Sequence, residues 1–337
     1  MDELSSSNSE VASDPSAARI SGLTNSAIES SHTIAKTIRQ GLARVNTLSI
    51  VVPAFNESAH LGECLDALLE QQEHIHEIIV VDNNSTDDTA AIVLDRRRRF
   101  PMVKLVAECE RGVVHARNAG FDHASGSIIG RIDADTHVGS DWAKSILDFF
   151  DRRLDYAAVT GPIFLYDSPW AAPYRAFVKY TTKRKPDELR VSAASGNNFA
   201  IRRSAWEAAR HRVSLRTDLH EDIDLSLCLY RVGLHIAQIK TMCVEVSGRR
   251  LLTPPLEYRH YVLSSYRTWA FHSLAGKSLR RLLVADMILH TVHWPLTRML
   301  STCDSRILPV SYSDSSDTPD RHLSAVREDR FAAASGK

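Results

Sequence analysis

No excess of either charge marks this chain: 41 Lys and Arg offset 41 Asp and Glu over 337 residues. That excludes the broad basic surface with which nucleic-acid-binding domains collect phosphates, so no nucleic-acid partner is expected and any anionic ligand must be met by a local pocket. Cysteine is scarce and without paired spacing. Cys64, Cys109, Cys228, Cys243 and Cys303 form no C-x-x-C pair, which leaves neither a zinc ribbon nor a disulfide framework, and a set of reduced thiols is expected. The fingerprint G-x-G-x-x-G is missing, which speaks against an NAD-binding sheet. The first residues are acidic and serine-rich, unlike a basic-then-apolar leader, and the active face is expected in the cytoplasm. No apolar run reaches the roughly 20 residues of a membrane span. The nearest candidate, between Arg281 and Arg298, carries Asp286, His290 and His293 and reads as a helix packed on the domain in preference to one lying on a bilayer.

What is present is an alternation. The apolar content, 44%, supports a full core. LSIVV at Leu48–Val52 is a short buried strand, followed by Leu61, Cys64, Leu65, Leu68 and Leu69 at helical spacing. Glu77–Val81 and Val103–Glu108 give two more strands, and SIIGRID at Ser127–Asp133 a fourth, with helices predicted up to Arg99 and over Val113–Ala124. Ser85 with Asp88 predicts a capping-box start for the first of these helices, and Asn56 a cap for the helix after the first strand. Strand, helix and strand at this spacing mean an α/β fold, a doubly wound, mainly parallel sheet with helices on both faces, followed by a C-terminal helical segment. The expected division is a variable tail at 1–45, a main domain at 46–250, a helical extension at 251–310 and a second tail at 311–337.

Ligands of such sheets sit beyond the carboxyl ends of the strands, and three exits are polar: Pro53–Glu57, Asp82–Asp87 and Asp133–Thr136. Asp133-Ala134-Asp135 follows an apolar run, so its carboxylates share one side of a strand end and can reach one hard divalent cation. Asp222-Ile223-Asp224 has the same spelling inside a predicted helix, where its two acids point roughly 200° apart. If that helix begins near His220, Glu221 and Asp222 occupy its first turn, where the dipole favours ionised carboxylates. Asp82 can accept hydrogen bonds from a base or ribose. After Gly196, the amides of Asn197 and Asn198 can donate to and accept from sugar hydroxyls. Arg249 and Arg250, after a predicted strand at Met242–Val246, can place a guanidinium on a diphosphate by charge-assisted bonds.

The order IVVPAFNES, EIIVVDNNSTDDT, ARNAGFDHASGSII, RIDADT, GNNFAIRR and HEDIDL resembles the family 2 glycosyltransferases over about Leu48 to Arg250. The resemblance implies the GT-A fold and an inverting, metal-dependent transfer from a nucleotide-sugar donor to a glycan or lipid-linked acceptor. It implies that Ala54, Phe55, Glu57, Asp82 and Asn84 line the nucleotide-sugar site, with Arg117 near the phosphates. Asp133 and Asp135 would hold Mn²⁺ or Mg²⁺ against the diphosphate. Asp222 would be the catalytic base and Glu221 its companion, while Gly196, Asn197, Asn198, Arg249 and Arg250 would meet the acceptor. His260 or His272 would be the histidine that completes a metal shell, if one does. Two departures stand out. Asn83 replaces the acid that commonly follows Asp82, and no Gln-x-x-Arg-Trp segment is present, so single-sugar transfer is expected over polymer synthesis, and peripheral contact at the inner face of a membrane is compatible with it. A sugar nucleotidyltransferase and a non-catalytic sugar-nucleotide or glycan-binding module are the alternatives.

Overall fold

The computed structural model describes residues 46–301. The predicted tails at 1–45 and 311–337, and the last residues of the extension, lie outside that range. Four parallel strands form half of an eight-stranded sheet: β1 (Leu48–Ala54), β2 (Glu77–Asp82), β3 (Val103–Ala107) and β4 (Ile128–Arg131). Residues Leu48, Ile50 and Val52 pack to one side and Val51 to the other, as period-two alternation requires. On the first side lie α1 (Leu61–Leu69), α2 (Thr89–Arg99) and α4 (Trp142–Arg152), which contribute Leu65, Val93 and Phe149 among others. The second side is covered by α3 (Val113–His123), α6 (Arg203–Ala209) and α7 (Glu221–Arg231), with Phe121, Trp206 and Leu225.

The other half of the sheet is mixed. Strand β9 (Phe199–Arg202) runs antiparallel between β4 and β6 (Ala158–Thr160), then come β10 (Ile236–Ile239), parallel to β6, and β8 (Glu188–Val191), antiparallel at the edge. The reversal at β9 matters for function. Arg131 at the end of β4 pairs with Phe199 at the start of β9, so the Gly196–Asn198 segment enters the sheet beside the exit of β4. A second, three-stranded sheet joins β5 (Thr136–Val138), β11 (Val244–Val246) and β7 (Ile163–Leu165). Thr136 pairs with Val246, which carries the following Ser247–Arg250 turn toward Asp135. Helix α5 (Ala171–Lys183) packs on β7, and α8 (Pro255–Phe271) with α9 (Lys277–Leu300) closes the described chain. No described helix is long and apolar enough to cross a membrane.

Two predicted helix starts are displaced. Helix α1 begins at Leu61 and α2 at Thr89, and neither receives a side-chain cap from Asn56 or Ser85. Those residues instead lace two strand exits together: Ser85 Oγ accepts from Asn56 N at 3.0 Å and Asn56 Oδ1 accepts from Thr86 N at 2.8 Å. Asn56 and Asn84 both adopt positive φ, 53° and 66°, which asparagine tolerates better than most residues.

Candidate active site

Ala54, Asp82 and Ala107 end β1, β2 and β3 side by side, so the first two predicted nucleotide-binding exits form one edge. Phe55 lies there with the Arg111 guanidinium 5.5 Å from its ring centre. Asn83, in place of a second acid, is buried and fully engaged: its Nδ2 donates to the carbonyls of Glu108 and Glu110, and its Oδ1 accepts from Gly112 N. A carboxylate could make only the last of these bonds, because it cannot donate. Asn84 donates in the same way to the Glu108 and Cys109 carbonyls, so its amide shapes the rim and is not presented to a ligand.

The acid pair and the Glu221-Asp222 turn are brought together by a residue that motif reasoning passed over. Arg131 is buried, with Nη2 2.8 Å from Asp133 Oδ1 and Nη1 2.8 Å from Glu221 Oε1. A single planar fork thus spans the exit of β4 and the first turn of α7. Gly196 is the third wall. A Cβ there would stand 1.5 Å from Arg131 Nη1, and the Gly196 N–H donates to Asp222 Oδ2 at 2.8 Å. Helix α7 starts at Glu221 as predicted, with both acids in its first turn.

Burial and acid crowding dominate the electrostatics of the Asp133–Asp135 exit. The Asp135 carboxyl is pushed up to about 6, first by burial and then by Asp133 and Glu57, while Arg249 pulls it down. Glu57 is raised too, by burial before Asp133 and Asp87, against its bonds with Arg249. Arg249 forks onto Glu57 at 2.5 and 3.0 Å and places Nε 3.0 Å from Asp135 Oδ2. The pairing of β11 with β5 brings it beside Asp135. A hard divalent cation fits this donor set: the adjacent carboxylates of Asp133, Asp135 and Glu57 carry more negative charge than Arg249 offsets, and that crowding, with burial, is what raises Asp135.

Other predicted site residues are placed differently. Arg117 is 1% exposed, sandwiched near Phe121 and Trp206, and donates to the Glu221 carbonyl at 3.2 Å; a phosphate contact would need an accessible guanidinium, and this one supports the α7 turn. Asn198 is fully buried, accepting from Trp142 Nε1 and donating to the carbonyls of Pro162 and Met242, so it joins sheet to core and cannot meet an acceptor. Asn197 is half-buried and accepts from Ser195 Oγ. Arg250 is exposed, over the Tyr261 ring on α8. His260 is exposed on α8, and His272 Nε2 is 2.7 Å from Asp224 Oδ1. Asp224, Cys228 and His272 do bring three donor atoms within 4.8 Å of one another, but the Asp–His pair is already hydrogen-bonded and ties α7 to the end of α8. Around Asp135 the nearby histidine is His60, whose proton affinity is lowered by burial and Arg249 despite Asp135. Tyr166, stacked on His137, feels burial first and the Asp135 charge next, both of which raise its pKa. Beside Tyr166 an open groove of about 470 Å³ runs between α5 and the small sheet, lined by Arg175, Lys179 and Glu245.

Comparison with known proteins agrees with this architecture. Residues 49–209 match the family model described as Glycosyl transferase family 2. The uncharacterized glycosyltransferase EpsJ of Bacillus subtilis (strain 168) is 34% identical over 93 residues, 28% of this chain and 27% of EpsJ. Chondroitin synthase of Escherichia coli is 31% identical over 160 residues, 48% of this chain and 20% of the synthase. The chain thus spans about a quarter of one curated relative and a fifth of the other. Among solved structures, the mannosyltransferase PcManGT from Pyrobaculum calidifontis, in complex with GDP-Man and Mn²⁺, superposes with a TM-score of 0.52 at 18% identity, covering 84% of this chain and 85% of that one. That likeness is one of fold, and the fold is the GT-A architecture expected from the sequence. Through residues 49–209, the segment that carries the parallel strands and the acid pair, the chain is similar to glycosyl transferase family 2.

Proposed function

We propose that this protein transfers a single sugar from a nucleoside-diphosphate donor to an acceptor hydroxyl with inversion, in the synthesis of a glycan, a cell-envelope polysaccharide or a glycolipid. The observation that carries the reading is the Arg131 fork, which sets the Asp133 carboxylate and the Glu221-Asp222 turn on either side of one buried guanidinium. Asp133 and Asp135 are the residues that would hold Mn²⁺ or Mg²⁺, and the cation, when bound, screens charge on the departing diphosphate. Ala54, Phe55, Glu57 and Asp82 form the donor edge, and Arg249 reaches the diphosphate side from β11. Glu221 is committed to Arg131, which leaves Asp222 as the proton acceptor. Its Oδ2 is steadied by the Gly196 N–H, and it takes the acceptor hydroxyl's proton as the oxygen attacks the anomeric carbon. No covalent intermediate with the enzyme is needed.

The groove beside Tyr166, with Arg175 and Lys179, suits an acceptor that carries a phosphate, such as a lipid-linked sugar. Action on the cytoplasmic side, with peripheral contact at the inner face of the membrane, belongs to the same reading. The test is product analysis with Mn²⁺ and a panel of UDP, GDP, TDP and CMP sugars. Release of nucleoside diphosphate or monophosphate, abolished in both Asp135→Ala and Asp222→Asn, supports transfer. Pyrophosphate release would mark a nucleotidyltransferase, and donor binding without turnover would mark a binding module.

A further inference from the structure

Helix α9 is amphipathic the wrong way round for a helix whose surroundings are water. Its inward face is polar and hydrogen-bonded. Asp286 accepts from Tyr258 Oη at 3.0 Å, His290 stacks on the Tyr258 ring at 3.7 Å with Nε2 2.9 Å from the Thr253 carbonyl, and Trp294 Nε1 donates to the Leu252 carbonyl. Thr297, one turn further, accepts from Trp170 Nε1 at 2.7 Å. These residues recur at helical spacing, so the opposite stripe is fixed by the 3.6-residue period. That stripe is Ile288, Leu289, Val292, Leu296 and Met299, all exposed, with Ile288 at 60% and Val292 at 67%. Monomeric soluble proteins rarely leave so long a run of large aliphatic side chains in water.

We propose that the outward face of α9 is a docking surface for an anionic lipid bilayer, on which the helix lies in the plane of the interface. The inference rests on the proposed transfer only in that a lipid-linked acceptor gives the contact a purpose. Three features favour this occupant. The helix is about 36 Å long at 1.5 Å per residue, yet it does not qualify as a span. Its charges outside the Tyr258 contact are all basic: Lys277, Arg280 and Arg281 stand in the first two turns and Arg298 in the last. Apolar residues between basic ends are the pattern of helices held at anionic membrane surfaces. A second copy fits less well, because antiparallel pairing of two α9 helices sets Arg280 and Arg281 against Arg298 with no acid of this face to balance them. Parallel pairing sets the same arginines against each other.

Flotation of the full chain with vesicles tests this directly. Vesicles of phosphatidylcholine alone are compared with vesicles in which roughly a third of the lipid is phosphatidylglycerol. Binding to the anionic vesicles is expected, weakening with salt and falling about tenfold or more in Ile288→Gln/Val292→Gln and in Lys277→Gln/Arg281→Gln. Both pairs are at exposed or solvent-edge positions outside the proposed site, so thermal melting and Mn²⁺-dependent turnover of a soluble donor should stay at the wild-type level, which separates this face from the catalytic proposal. Absence of vesicle binding, or binding that survives Ile288→Gln/Val292→Gln, overturns the inference. So does a solution dimer that the same pair dissociates, since a second copy would then cover the stripe.

Discussion

Replacing Arg131 by methionine removes the guanidinium that lies 2.8 Å from both Asp133 and Glu221. Glu221 is 9% exposed at its side chain and Asp133 34%, so water can take over one contact and hardly the other. Breaking a buried pair costs about 3–5 kcal/mol, and the partial exposure of Asp133 selects the lower end. At about 2–4 °C per kcal/mol for a domain of this size, the melting temperature falls by on the order of 10 °C. The rate suffers more than the fold. Asp222 is steadied by the Gly196 N–H, and the Gly196 backbone is packed against Arg131, so loosening the fork misplaces the base, for which about a hundredfold loss is expected. Arg131→Lys restores a positive charge and part of the stability, but one ammonium cannot reproduce the two-armed geometry, so turnover stays low. The assay is thermal unfolding paired with Mn²⁺-dependent nucleotide release from the preferred donor, measured well below the variants' melting points. If Arg131→Met melts and turns over within about twofold of the parent, the fork neither supports the fold nor positions the base.

Gly196→Ala should reproduce the Arg131 rate loss by a different route, because a methyl 1.5 Å from Arg131 Nη1 must displace it; unchanged turnover would show that the fork tolerates movement. Asn198→Ala should lower the melting temperature by several degrees, about 2–4 kcal/mol for three lost buried hydrogen bonds, while KM for the acceptor in the surviving folded enzyme stays the same; a selective rise in KM would return Asn198 to the acceptor site. Burial alone would raise the pKa of Glu77, but bonds from Lys104, Ser125 and Ser49 outweigh it and hold the carboxyl at about 2. A depressed carboxylate stabilises the fold above its unfolded value near 4.5 and loses that contribution as pH falls toward about 2. Glu77→Gln should therefore cost about 2 kcal/mol at pH 7, allowing for solvent around the half-exposed Lys104, and the difference from the parent should shrink below pH 4. Denaturant melts across that range check it, and a constant difference would refute the assignment.

Much of the fold was legible because its signals are local. Each of the first four strands is a short apolar run bounded by polar exits, and α7 begins where an acid-rich turn meets an apolar repeat. The acid pair and the Glu221-Asp222 turn were equally legible as motifs. What stayed hidden depends on strands far apart in sequence. The reversed strand β9 sets Gly196 against Arg131, and the pairing of β11 with β5 brings Arg249 to Glu57 and Asp135. The amides of Asn83, Asn84 and Asn198 look alike in sequence to ligand-binding amides, and only burial reveals that they hold backbone carbonyls. Arg131 did leave a trace. A charged residue in an otherwise apolar strand, two positions before Asp133 and hence on its side, needs a buried partner, and Glu221 is that partner.

Most direct is a titration of Mn²⁺ by electron paramagnetic resonance, in the presence of the nucleoside diphosphate that best stabilises the protein. The free-ion signal of Mn²⁺ should fall to a one-to-one endpoint in the parent and in Asp222→Asn, and persist undiminished in Asp133→Ala/Asp135→Ala. Undiminished binding in the double variant would place the cation elsewhere and contradict the account of this site.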